Sequence, residues 1–128
     1  MNFAARAYGQ TATMATTPRE GEARALLKAA SRIQLALSGD KVDRSDLDSA
    51  LIYNRNLWIE IVTRVSDADN PLSKQVKESI LALGQFVFKH TLACQVGKDS
   101  LKSSVLIDLN QNLALGLQGS AGSGKIAA

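Results

Sequence analysis

The sequence predicts an all-α protein: a compact bundle of about four amphipathic helices, with a short N-terminal helix as a further element. Three observations carry this. Apolar residues recur three or four apart through long stretches, the period of one helix face. Alanine and leucine are abundant, and there is little of the Val/Ile/Thr alternation that marks strands. Start and stop signals at Thr17-Pro18, Gly39, Asn70-Pro71 and Gly97 cut the chain into segments of helix length. At 128 residues a single domain with a real core is expected. It covers residues 1–118, leaving 119–128 as a flexible tail or cloning remnant.

Taken in order, residues 1–16 are small and polar. Phe3, Ala7 and Tyr8 suit a short helix packed on the domain, while Gly9 and the threonine-rich run work against it. Thr17-Pro18-Arg19-Glu20 then reads as a helix start, with Thr17 as cap, proline in the first turn and an acid near the positive end of the dipole. Ala23, Leu27, Ala30, Ile33 and Leu37 form its stripe, and Gly39 ends it. Arg24, Lys28 and Arg32 are like-charged neighbours one turn apart, so that face should stay solvated.

The second helix, Leu47 to Val65, organises the rest. Leu47, Leu51, Asn54, Trp58, Ile61 and Val65 share one face, and Trp58 is the only tryptophan. A buried amide without partners costs roughly 1–3 kcal/mol, so Asn54 should hydrogen-bond across the core or to a partner. Ser45 with Asp48 resembles a capping box. Asn70-Pro71 repeats the cap-then-proline signature and opens a third helix reaching about Val96. Its stripe is Leu72, Val76, Ile80, Leu83, Val87, His90 and Cys94. Gly84 inside it predicts the close approach of another backbone. A fourth helix, about Ser100 to Gln118, carries Leu106, Leu109, Leu113 and Leu117, broadened by Val105, Ile107 and Leu115. Asp108 and Asn110 fall on its polar flank, which reads as solvated surface.

Composition excludes several function classes. The net charge of +3 is spread with alternating sign and forms no basic block, unlike a nucleic-acid footprint. One cysteine allows no internal disulfide and suits a reducing cytoplasm. No apolar run approaches the roughly 20 residues needed to span a bilayer. Gly119 to Lys125 matches much of a P-loop, but Ile126 stands where Ser/Thr belongs, and neither the strand nor the helix of that motif is present. His90 and Cys94 lie four apart, yet two ligands are too few for a metal site, so core packing is the reading. Asp43, Asp46 and Asp48 surround a helix start and lack the glycine and distal glutamate of a calcium loop. His90 is the only histidine, and no nucleophile sits in a recognisable elbow. No enzyme, cofactor, metal or small-molecule substrate is expected.

Several short motifs, in order, resemble the bacterial flagellar FlaF family over about residues 3–118. They are Tyr8, Thr17-Pro18-Arg19-Glu20, Ala50-Leu51 with Asn54-Arg55-Asn56-Leu57-Trp58, Asn70-Pro71-Leu72, Lys89-His90-Thr91, Leu106-Ile107-Asp108-Leu109-Asn110, and Gly116-Leu117. The order Asn-Pro-Leu at 70–72 departs from the asparagine, spacer, leucine-proline often found in that family. The resemblance implies a cytoplasmic non-enzyme that binds flagellin as an export chaperone and supports flagellin synthesis and secretion. FlbT is a further partner. The alternative it implies is post-transcriptional regulation of flagellin mRNA translation acting with FlbT, with direct RNA contact disfavoured by the charge pattern. The matching positions Asn54, Leu57, Trp58, Asn70, Leu106, Asp108, Leu109 and Asn110 are the candidate partner-binding residues. Flagellin's terminal segments are coiled-coil-forming helices, which suit a groove between helices.

Overall fold

A computed structural model of the chain describes residues 18–97 and 100–123. The expected short N-terminal helix and the Thr17 cap lie outside the described residues. The described chain is all α: four helices, with a turn of 3-10 helix before the last. Helix α1 is Pro18–Leu37, α2 is Arg44–Ser66, α3 is Lys74–Val96, and α4 is Ser104–Ser123, preceded by the 3-10 turn Ser100–Ser103.

Local chemistry sets the boundaries, and several differ from expectation. Helix α1 starts at Pro18 and stops short of Gly39, whose φ of 98° is the left-handed conformation expected of a glycine after a helix end. Helix α2 is capped by Asp43, not Ser45. The Asp43 side chain accepts from the Ser45 and Asp46 backbone N–H groups at 2.8 and 3.1 Å, because the helix already begins at Arg44 and those orphan donors lie two and three residues after Asp43. Helix α3 begins three residues later than Pro71, with Ser73 as cap accepting from Val76 N–H at 3.2 Å. Asn70 instead makes an Asx turn. Its Oδ1 accepts from Leu72 N–H, and its Nδ2 donates to the Arg64 carbonyl at the end of α2, both at 3.0 Å. Helix α4 continues past Gln118 to Ser123, and residues 124–128 of the expected tail lie outside the described residues.

Helix α1 is central. It packs along α4 on one side and α2 on the other, and α2 also carries α3. Backbones of α3 and α4 hardly approach each other directly; the 3-10 turn joins them at one end. There His90 Nε2 donates to the Lys102 carbonyl at 2.7 Å, and the His90 ring stacks on Phe86. At the same end Arg44 donates to the Cys94 and Gln95 carbonyls, covering the last turn of α3.

Burial follows these neighbours. Every residue of the predicted α2 face is buried, joined by Ala50 and Leu57. Helix α1, flanked on two sides, buries a wider face than one stripe: Ala23, Ala25, Leu26, Ala29, Ala30 and Ile33, with Leu27 displaced to its edge. Helix α3, packed on one side, buries only Ile80, Gly84, Val87, Thr91 and Cys94. An added Cβ at Gly84 would lie 2.6 Å from Val62 Cγ2. The close approach predicted there is real, but it is made by side chains of α2 and not by backbone. On α4 the buried set is Leu106, Ile107, Asn110, Ala114 and Leu117, while Val105 and Leu115 face outward. No described helix is long and apolar enough to cross a membrane.

Candidate functional site

Two features stand out, one in the middle of the bundle and one at its end. The middle is a chain of buried polar groups. Trp58 Nε1–H donates to Asn110 Oδ1 at 3.0 Å. Asn110 Nδ2 donates to Asn54 Oδ1 at 2.7 Å and to the Leu26 carbonyl at 3.2 Å. Asn110 thus uses donors and acceptor to tie α4 to α1 and α2 at one level. Asn54, Trp58 and Asn110 are each 0 % exposed. In a water-excluded setting such bonds are strong and unpaired atoms are costly, so the network fixes the register of three helices. Asn54 makes the expected bond across the core. Asn110 corrects its reading as solvated flank: the register that packs α4 on α1 turns it inward with Ala114 and Leu117. The Asn54 Nδ2 atom is buried without a hydrogen-bond partner.

At one end the four helices leave a cavity of about 520 Å³. It lies where the start of α1, the end of α2, the start of α3 and the end of α4 come together. Leu26, Ile61, Val65, Ile80, Leu113 and Leu117 supply apolar wall, and the turn Pro71-Leu72 closes one side. It opens between α3 and α4, whose backbones hardly approach each other. The rim is polar and braced: Arg64 donates through Nη2 and Nε to Glu22 Oε2 at 3.0 and 3.3 Å, and also approaches Glu60 at 3.7 Å. Asn70 holds the adjacent turn to the Arg64 carbonyl. A volume in the roughly 300–1,000 Å³ range with apolar walls and a few fixed polar groups is the form of a binding pocket.

The sequence-predicted candidates divide between these places. Asn54, Leu57, Trp58, Leu106 and Asn110 are buried and shape the bundle from inside. Asn70 stands on the pocket rim. Leu109 is half-buried and Asp108 exposed, on α4. Sequence reasoning missed the pocket as a site, although Leu72, Ile80, Leu113 and Leu117 were all on predicted stripes. Elsewhere Leu35, Leu92, Val96 and Leu115 are 60–76 % exposed, apolar side chains that the fold does not cover. Arg24, Lys28 and Arg32 remain exposed as expected, with the Arg32 guanidinium 4.3 Å from the Tyr53 ring centroid. Cys94 is buried, and no cluster of three or more His, Cys, Asp or Glu among the described residues could hold a metal.

The sequence was compared with known families. The description "Flagellar protein FlaF" matches residues 4–117, nearly the whole bundle and both features above. The chain belongs to the FlaF family. Its role is therefore flagellar. The match ends at Leu117, inside the pocket, and begins ahead of α1. No curated protein and no solved structure matches this FlaF-family chain.

Proposed function

We propose that the protein acts by binding and not by catalysis, as an export chaperone that holds flagellin in the cytoplasm before secretion. The observation that carries this is the apolar pocket at the open end of the bundle, walled by all four helices and rimmed by fixed polar groups. An amphipathic helix of an unassembled subunit would place two or three apolar side chains there, burying surface that otherwise aggregates. A few such anchors dominate affinity in an interface of ordinary size. Support for flagellin synthesis would follow from sequestering the product, with FlbT as a second partner.

The test is capture of purified flagellin by the immobilised full chain. Leu113→Asp and Leu72→Asp charge half-buried pocket positions and should lower flagellin affinity at least about tenfold, the effect of losing one desolvated anchor. Leu35→Asp, on an exposed position at the far end of α1, should leave it unchanged. Flagellin without its terminal helices should not bind. Equal binding by that truncated flagellin would refute the groove reading.

Direct contact with flagellin mRNA is the second reading. The observation on its side is the exposed row Arg24, Lys28 and Arg32, three cations on successive turns of α1. A mobility shift of flagellin leader RNA that falls steeply with salt would support it. Unchanged mobility at micromolar protein would remove it.

A further inference from the structure

Rows of residues four apart divide a helix surface into four strips. Two strips of α1 face the core, Ala25-Ala29-Ile33 and Leu26-Ala30. The two that face away are a cation row, Arg24, Lys28 and Arg32, and beside it the row Leu27, Ser31 and Leu35, all exposed. Successive members of a row are about 6 Å apart along the axis. Leu35 is 71 % exposed, so the second row offers apolar surface that the bundle does not use. None of these residues lines the end pocket.

The described bundle leaves the cations unbalanced. Helix α1 has no carboxylate after Glu22. Among the described residues no ion pair joins Arg24, Lys28 or Arg32 to a carboxylate. Ser49 and Asn56, one turn to either side of Tyr53 on α2, are neutral. Like charges one turn apart work against the free helix, and carboxylates supplied from outside relieve them. Two of the cations are also held in place. Lys28 Nζ and the Arg32 guanidinium lie 5.9 and 4.3 Å from the centroid of the half-buried Tyr53 ring. A guanidinium over a ring keeps its N–H donors at its edge, in the fork that matches a carboxylate.

We propose that this outer face of α1 docks an acidic amphipathic helix of a second protein. The partner's ridge lies in the groove between the two rows. Its apolar row meets Leu27 and Leu35, and its carboxylates, one turn apart, meet Arg24, Lys28 and Arg32. The same features favour this occupant over RNA. The Tyr53 ring is taken up by Arg32 and Lys28 and is not presented to bases, and half of the face is leucine, which a phosphate backbone does not seek. The site is separate from the pocket, and the inference does not rest on the chaperone reading.

The experiment uses the full chain and a stapled helical peptide with Glu at i, i+4 and i+8 beside a leucine row. An isomer of the same composition, with the glutamates scattered around the helix, is the control. The matched peptide should bind at least about tenfold more tightly than the isomer, the effect of losing one desolvated anchor. Methyl shifts should appear at Leu27 and Leu35, with Ile80 and Leu113 silent. Arg24→Glu/Lys28→Glu/Arg32→Glu should remove binding with circular dichroism unchanged, and a peptide with Lys in place of Glu should then bind that variant. Leu35→Ser should weaken the matched peptide while keeping its salt dependence. Equal binding of matched and scattered peptides, no binding of either, or shifts at the pocket would overturn the proposal. Tighter binding of a single-stranded oligouridine, unaffected by Leu35→Ser, would overturn it in favour of RNA. Self-association of the chain that the triple reversal abolishes would overturn it in favour of a second copy.

Discussion

The middle and the open end of this bundle are built on opposite terms. In the middle, Asn110 bonds the Trp58 N–H, the Asn54 Oδ1 and the Leu26 carbonyl at once, with the Asn54, Trp58 and Asn110 side chains sealed from water. At the end, Leu26, Ile80, Leu113 and Leu117 face a space that the chain's described residues do not fill. Polar bonds have direction, and so the middle admits one arrangement of α1, α2 and α4. Apolar contact has none, and so the end can accept any greasy helix of suitable shape. Specificity of fold and breadth of binding are thereby placed at different levels of one small domain.

Breaking the middle should have the largest effect. Asn110→Leu leaves the Trp58 N–H and the Asn54 carbonyl oxygen buried and unpaired, at roughly 1–3 kcal/mol each. A loss of about 2–6 kcal/mol in denaturant unfolding is expected. Gly84→Ala comes next. The new Cβ would stand 2.6 Å from Val62 Cγ2, and a β-branched side chain in a helix has little freedom to turn aside. Overpacking of about 1–3 kcal/mol, set against a helix-propensity gain of about 1, predicts a net loss of up to about 2 kcal/mol. Its midpoint shift by circular dichroism checks this.

Asn54→Leu sharpens the contrast within the network. Asn54 contributes one accepted bond and one unpaired buried donor, and Asn110 Nδ2 would keep the Leu26 carbonyl. Its cost should be about 1 kcal/mol or less, well below that of Asn110→Leu. Equal costs for the two would remove Asn110 as the hub. Glu22→Gln at the rim is the mildest. The Arg64–Glu22 pair is partly exposed, and such pairs contribute about 0–1 kcal/mol, so stability should hardly change and any dependence should fade with added salt.

The helices were legible in the sequence because their signals are local. Proline at the start of α1, glycine after its end and the face from Leu47 to Val65 follow from spacing alone. Asn54 was legible too, since an amide inside an apolar stripe has to find a partner. Its partner was not. On α4 two faces compete, Leu106-Leu109-Leu113-Leu117 and Leu106-Asn110-Ala114-Leu117, and hydrophobicity favours the first. Packing against α1 selects a register between them that buries Asn110 and leaves Leu109 and Leu113 half-covered. The caps at Asp43 and Ser73 were missed for a related reason: several short polar residues stand before each helix, and the backbone path decides which of them reaches the free N–H groups. The pocket has no sequence signature, because it depends on how closely α3 and α4 approach each other, which no local residue pattern specifies.

The most direct test of the division between a fixed middle and a receptive end is a methyl-resolved titration of the full chain with purified flagellin. Shifts concentrated at Leu72, Ile80, Leu113 and Leu117, with Leu47, Leu51 and the Trp58 indole unmoved, are the result expected here. Shifts confined to the outer faces of α1 and α2, with the four pocket residues silent, would contradict it.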